Sequence, residues 1–572
     1  MHKFPEAIKA PPSEGFGEAI SLIFTKISYL KKFQPILLSL LSGLLFFLAW
    51  PMINITVAIF FAFIPLLILE QQNYSKLKFF GLIYLALFTW NISTTWWIWN
   101  ASMVGAWLAI FVNSLLMSIP LMGFRYMKKR FGSLIGYTSF IIFWMSFEYL
   151  HLQDWGLSWP WLTLGNVFAG RINWIQWYEY TGTSGGSLWV LLVNVMLFQL
   201  IRVRSEKGED VRGTMYDVRM SSLLLISAAL ALPIILSLFI NNNQTSKHPT
   251  SDIKNPTSNN IVVIQPNIDP YEKLSTGTFD AQLQKLIRLS ESKIDSNTTL
   301  LVWPETALYS PNGFDEVNLK QNFFLNPLFD FLRRHPNINL FTGIESYRVY
   351  PERVSASARP IDGTSDFYEV YNGSAVLDSS GALQLYHKSM LVPGVETLPR
   401  FLLFLGPVFE KLGGTAGGYA RQEERTPLPT NNGYVIAPAI CYESIYGEYM
   451  SRYVKAGANI IAVITNDGWW GNTPGYKHHM LYGKLRAIET RKWVLRSANT
   501  GISCFIDPMG NDFQAQPWWT EAAIKMNIPV NTHQTFFVRF GDLLSKLALI
   551  LSAALLLFAI YQRFTGKRSK QL

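Results

Sequence analysis

Only two cysteines, Cys441 and Cys504, occur in 572 residues, which excludes a disulfide-stapled secreted scaffold. Charge is also scarce, at 15% of residues, so the chain is no disordered polyelectrolyte. There is no HExxH and no further cysteine pair to complete a zinc site. The adjacent His478 and His479 are therefore expected as loop or helix-start residues beside a pocket, and neither a metal nor another cofactor is expected. No internal repeat is visible. A basic region, a short apolar run and a small-residue cleavage site do not follow one another near Met1, so a removable signal peptide is not expected. What abounds is apolar surface: 49% of residues are hydrophobic and 15% aromatic, with a mean hydropathy of +0.17.

A hydrocarbon layer about 30 Å thick is crossed by about 20 mostly apolar helical residues, because every backbone polar group must be satisfied within the segment. Eight runs qualify: 33–50, 52–70, 79–99, 103–124, 131–150, 184–201, 220–240 and 543–562. Lysines and arginines flank alternate connections. They precede the first run, follow the second (Lys76, Lys78) and fourth (Arg125, Lys128, Lys129, Arg130), separate the sixth from the seventh, and end the chain. The remaining short connections hold only Arg171. Positive charge stays on the cytoplasmic side, so both termini are expected there and the long segment between the seventh and eighth runs outside. This topology absorbs most of the basic excess (49 basic against 39 acidic residues, net +10), and no nucleic-acid partner is expected. The connection 151–183 carries Trp155, Trp159, Trp161, Trp174 and Trp177 and reads as a platform at the water–lipid boundary. Glu148, near the end of the fifth run, is either an intramembrane functional carboxyl or a locally bonded boundary residue.

Residues 1–240 thus form a transmembrane domain, 241–260 a polar linker, 261–530 a second domain and 543–562 a last span. In the second domain, short apolar runs at 261–265, 299–303, 338–342, 382–387, 434–440 and 459–465 alternate with helical patterns at 278–291 and 476–495, an α/β arrangement. Three reactive side chains end such runs: Glu305 after LLVWP, Lys388 after LQLYH and Cys441 after VIAPAI. Ligands of such sheets commonly meet strand carboxyl ends. Alone, each has a bland explanation; together they supply complementary needs. A thiol with an ordinary pKa of about 8.5 needs a base, which Glu305 provides. A helix beginning at Tyr442 would further favour the thiolate. A tetrahedral intermediate needs positive charge at its oxyanion, which Lys388 and the Tyr442 N–H provide. The product is an acyl-thioester. A Cys441–Cys504 disulfide is the competing use of the thiol.

The runs LVWPET (301–306), YHKSMLVPGVE (386–396), AICYES (439–444), TNDGWWG (465–471) and LRAIETRKWVLRSANTG (485–501) resemble the apolipoprotein N-acyltransferase family, the membrane branch of the nitrilase, or carbon–nitrogen hydrolase, superfamily. The likeness extends over essentially the whole chain. It implies eight transmembrane helices carrying an extracytoplasmic αββα sandwich, with Glu305 as general base, Lys388 as oxyanion-stabilising cation and Cys441 as nucleophile. Glu396 matches a second glutamate of the family, and Tyr442 and Glu443 match its aromatic–acid pair. The implied reaction moves a fatty acyl group from a membrane phospholipid to the α-amino group of a diacylglyceryl-cysteine on an apolipoprotein, by a ping-pong route in a bacterial inner membrane, with the catalytic domain periplasmic. Two departures stand out. The loop 265–277 lacks a tryptophan that some members have, leaving Tyr271 or Leu274 in that space, and LVPGVE lacks an aromatic before its glycine. The apolar run 401–409 and the glycine stretch 413–418 read as a lid over the site. The rival readings are a membrane-tethered amide hydrolase with water as acceptor, and a transporter or structural membrane protein with an inactive domain.

Overall fold

A computed structural model of the protein describes residues 33–206, 212–247, 259–271, 279–310, 313–397 and 418–565. The expected lid at 401–409, nearly all of 413–418, and Leu274 lie outside these residues, as do the lysines before the first apolar run.

Among the described residues, five helices are long and apolar enough to cross a membrane: Lys76–Asn100, Met103–Phe131, Thr183–Arg202, Met220–Asn243 and Leu543–Phe564. The last two leave rows of leucine and isoleucine bare, among them Leu224, Leu225, Ile550 and Leu557, a surface that suits lipid rather than water. The run 131–150 becomes the helix Ser133–His151, which starts after Gly132 in the left-handed region (φ 86°). The first two expected spans are shorter than read. Phe33–Ala49 and Thr56–Gln71 are short apolar helices, and the second is broken into a 3-10 segment, Thr56–Phe61, and a helix, Ile64–Gln71. Asn54 with φ 62° and Pro65 at the helix start interrupt what composition alone presents as continuous. Beyond the seventh run, the helix Arg212–Lys247 continues into the polar stretch expected to be linker.

The second domain is two sheets face to face. The first has the order β14-β1-β2-β4-β6-β5, with β3 beside β4 and β7 beside β6. Its strands are β1 (Asn260–Gln265), β2 (Thr298–Val302), β3 (Phe314–Asp315), β4 (Asn339–Tyr350), β5 (Arg359–Pro360), β6 (Phe367–Leu377), β7 (Leu383–His387) and β14 (Ala522–Asn527). The second runs β13-β12-β11-β10-β9-β8, from β8 (Leu428–Pro429), β9 (Val435–Ile440), β10 (Ile460–Thr465), β11 (Val494–Ala498), β12 (Cys504–Ile506) and β13 (Asp512–Phe513). Alternation along β1 explains the layers. Ile261 and Val263 join Ile436, Ile461 and Val463 in the core between the sheets. Val262 and Ile264 face the other way, packing with Leu283, Leu286, Phe331 and Leu332 of the helices Phe279–Glu291 and Asn326–Arg334. Helices Gly447–Lys455 and Pro474–Thr490 cover the second sheet through Met450, Tyr453, Leu485 and Ile488. The result is the αββα sandwich of a nitrilase-like domain.

The tryptophan-rich connection does not lie flat as a platform. It folds into 3-10 turns (Pro160–Leu162, Leu164–Gly170, Ile172–Trp174) and inserts between the apolar helices and the second domain. Trp161 is 1% exposed and Trp177 7%, whereas Trp155 remains at 43%. Trp50 Nε1 donates to the Tyr482 hydroxyl, which donates to the Trp161 carbonyl. Arg491 holds Glu179 and Gln176 from the far side. Indole rings bury much area and carry one donor each, so they suit a joint that is apolar but must be registered. Glu148 belongs to this joint: its Oε1 accepts from Trp144 Nε1 and the Leu164 N–H, the local role among the two considered.

Candidate active site

Strand ends bring the three reactive side chains to one cavity of about 380 Å³, whose wall also includes Ile98, Ala101, Ser102 and Gly105 from the apolar helical region and Trp159 and Trp161 from the connection. Glu305 follows β2, Lys388 follows β7 and Cys441 follows β9. Close approach places Glu305: a Cβ on Gly343 of β4 would sit 2.4 Å from the Thr306 nitrogen, so only glycine lets β4 pass beside residues 304–306.

Glu305 Oε2 accepts the Asn466 N–H at 3.0 Å, and Oε1 accepts Asn372 Nδ2 at 2.9 Å and Lys388 Nζ at 3.5 Å. Lys388, 1% exposed, donates to Glu396 Oε1 at 2.8 Å. Glu396 is in turn fixed by the Val392 N–H and Asn372 Nδ2. Asn372 had no signal in the sequence; it is a mid-strand residue of β6 that joins the two glutamates. Burial alone would lower the Lys388 pKa, but Glu396 and Glu305 outweigh it and hold the ammonium charged, above its ordinary range.

Cys441 is free, as is the buried Cys504 on β12, so the disulfide alternative is not formed. The expected helix at Tyr442 is only a 3-10 turn, Cys441–Ile445, and such a short segment has little macrodipole. What distinguishes Cys441 is its backbone, at φ 50°, a strained setting for a non-glycine residue. His479 Nε2 lies 3.0 Å from the Cys441 carbonyl and 2.8 Å from Ser444 Oγ, while Nδ1 bonds Asp467 at 2.9 Å. Both histidines belong to the buried helix Pro474–Thr490. By distance, Cys441, Asp467 and His479 could hold a metal. Arg496, however, donates to Asp467 Oδ2 and its guanidinium lies 3.1 Å from His479 Nδ1, placing a guanidinium where a cation would go. The cluster clamps the Cys441 backbone.

Burial first, and then the Glu305 carboxylate, push the Cys441 thiol well above its ordinary pKa, against the pull of Lys388. The resting group is a thiol.

Glu443 is fully buried outside the cavity wall, whereas Tyr442 lines it. Glu443 Oε1 accepts the Ser389 and Met390 N–H groups and the hydroxyls of Tyr386 and Tyr449, and Oε2 accepts the Ile440 N–H. It therefore ties the segment after Lys388 to the strand before Cys441. Tyr442 stacks on Trp159 at 5.9 Å and 11° and donates to the Ser158 carbonyl at 2.8 Å, which registers the nucleophile turn on the tryptophan connection. In the loop after β1, the half-exposed Tyr271 packs edge-on against Trp469 at 5.1 Å and donates to the Asn100 carbonyl, so it links that loop to the helical region.

The comparisons agree with this division of the chain. Residues 261–536 match the carbon–nitrogen hydrolase model and 42–196 the apolipoprotein N-acyltransferase N-terminal domain. The apolipoprotein N-acyltransferase of Chlorobaculum tepidum is 29% identical over 93% of this chain and 97% of its own length. That of Rickettsia prowazekii is 26% identical over 91% and 97%. Among solved structures, Nit3 of Saccharomyces cerevisiae, from the nitrilase superfamily, aligns with 47% of this chain and 89% of its own at 17% identity and a TM-score of 0.33. Two family models in the right order, relatives matched over nearly their whole length and a converged Glu, Lys and Cys together lead to one conclusion: the chain is an acyltransferase similar from end to end to apolipoprotein N-acyltransferases, with a carbon–nitrogen hydrolase domain as its second half.

Proposed function

We propose that the protein transfers a fatty acyl group from a membrane phospholipid to the α-amino group of a diacylglyceryl-modified N-terminal cysteine, by a ping-pong route through a thioester on Cys441. Glu305 takes the Sγ proton as sulfur attacks the ester carbonyl, and Lys388 stabilises the oxyanion. The C–O bond then breaks, Glu305 returns its proton to the departing alkoxide, and lysophospholipid leaves. In the second half, the neutral amine attacks the thioester, Glu305 takes its proton, the C–S bond breaks and the sulfur is reprotonated.

One observation carries this reading: the cavity that holds the triad has a wall made from the apolar helical region. An acyl chain loses about 0.8 kcal/mol for each methylene moved from apolar surroundings into water, so a thiol that takes acyl groups from lipid must open beside the bilayer. Eight spans, counting the shorter apolar helices together with Ser133–His151, would put both termini in the cytoplasm and this cavity at the outer, periplasmic face of a bacterial inner membrane. The test is product analysis with acyl-labelled phospholipid and a peptide bearing a diacylglyceryl-cysteine. N-acylated peptide and lysophospholipid in equal amounts are expected, whereas free fatty acid as the main product would favour amide-hydrolase chemistry with water as acceptor.

A further inference from the structure

The second domain carries an aromatic surface that the mechanism above leaves unused. The run PWW (517–519) lies in the connection from β13 to β14. Gln265, the last residue of β1, donates through Nε2 to the Pro517 and Thr520 carbonyls at 3.0 and 2.9 Å. Strands β1 and β2 are parallel, so this connection is tied to the same end of the sheet from which Glu305 enters the cavity. Trp519 is 46% exposed, and its φ of 61° lies in the left-handed region, which is costly for a bulky side chain. A strained backbone thus presents an indole at the surface.

This surface is continuous with the end of an apolar helix. The rings of Trp519 and Trp518 lie 5.9 Å apart, and Trp518 packs on Tyr476 at 4.3 Å. Tyr476 stands in the first turn of the helix Pro474–Thr490. Its neighbour Gly475 presses on the helical region, since a Cβ there would sit 2.6 Å from the Trp97 ring. Trp97 belongs to the 3-10 turn Trp96–Asn100, which ends the apolar helix Lys76–Asn100. Asn100 fixes the contact by donating to the Trp470 carbonyl and accepting from the Tyr271 hydroxyl. In the same turn Trp96 and Trp99 are half-exposed. Lys477 adds positive charge, its Nζ lying 5.7 Å from the centre of the Tyr476 ring.

Indole and phenol rings have an apolar body and a polar edge, so they gather where hydrocarbon gives way to head groups, and a neighbouring lysine can reach a lipid phosphate. We propose that Trp518 and Trp519, with Tyr476 and Lys477, form a contact surface for the head-group layer of the outer leaflet, extending the aromatic end of Lys76–Asn100 onto the second domain. This rests on the reading of the apolar helices as membrane spans and adds a second hold on the bilayer. Its consequence is orientational: the domain is steadied against the leaflet beside the cavity mouth.

The test uses the full-length protein in vesicles of phosphatidylethanolamine and phosphatidylglycerol. The photoreactive residue benzoylphenylalanine replaces one position at a time: Trp519; Leu557, on the bare face of the helix Leu543–Phe564; and Ser296, in the exposed turn before β2 at the opposite end of the sheet. Each variant is checked for an unchanged melting temperature, and the probe moves to Trp518 where Trp519 fails that check. After irradiation, peptide mapping is expected to find phospholipid joined at Trp519 and at Leu557, with a yield at Trp519 about tenfold or more above that at Ser296. Lipid adducts at Leu557 with none at Trp519 overturn the contact surface. So does capture at Trp519 of an added diacylglyceryl-cysteinyl peptide, or of a second copy of the chain, in place of lipid. Absence of lipid adducts at Leu557 would overturn the membrane reading of the helices itself, independently of Trp519.

Discussion

The two sheets contribute opposite kinds of group to the same cavity. From the first come charges: Glu305, Lys388 and Glu396, the two glutamates bridged by Asn372. From the second comes one neutral thiol whose backbone is fixed by His479, Asp467 and Arg496 and whose neighbours Tyr442 and Glu443 reach outward for support. The difference shows how the Cys441 thiol is held among charges. Charges that must respond to the reaction are grouped where they stabilise one another, and strain is stored on the other side, where a rigid network can hold it.

Replacing groups on either side tests that contrast. The largest loss is expected for Cys441→Ser, at least about a thousandfold in transfer, because the attacking atom itself changes; intact-protein mass should then show no acyl adduct. Lys388→Met comes next, with a fall of about a hundredfold or more in single-turnover acylation and little change in lipid binding. A Lys388 variant with near-parental rates would break the assignment of oxyanion charge to the first sheet.

Glu305→Gln sharpens the comparison through pH. Because burial, the first cause that raises the Cys441 pKa, persists when Glu305 is replaced, the thiolate fraction without a local base is small and grows about tenfold per pH unit below that pKa. The variant's acylation rate should therefore climb through pH 9, where the parent, which uses Glu305, is level. A pH-independent variant would contradict base catalysis by this residue.

His479→Phe removes the clamp on the second sheet but no reacting charge. About a ten- to hundredfold loss in acylation is expected, and His479→Gln should restore part of it by supplying an amide donor to the Cys441 carbonyl. The smallest effect is expected for Tyr442→Phe: loss of one hydrogen bond to Ser158, about 1 kcal/mol, and less than tenfold in rate, since the ring can still stack on Trp159.

Legibility in the sequence followed the same division. Glu305, Lys388 and Cys441 each stand at the end of an apolar run, where strand ends announce a site. Asn372 is an interior strand residue whose meaning arises only when β6 brings it between Glu305 and Glu396, 67 and 24 positions away on the chain. His479 was visible but looked idle, because its partners Cys441, Asp467 and Arg496 come from different elements. The apolar runs revealed a region of apolar helices, yet its breaks near Asn54 and Pro65 and the insertion of Trp161 between the domains depend on tertiary packing that composition does not encode.

Acylation of the enzyme by lipid alone bears most directly on the proposed chemistry. After incubation with phospholipid and no acceptor, rapid acid quenching and peptide mapping should find a hydroxylamine-sensitive acyl group on Cys441 and an equal quantity of lysophospholipid. An unmodified Cys441 in protein that still transfers acyl groups to an amine would contradict a thioester route.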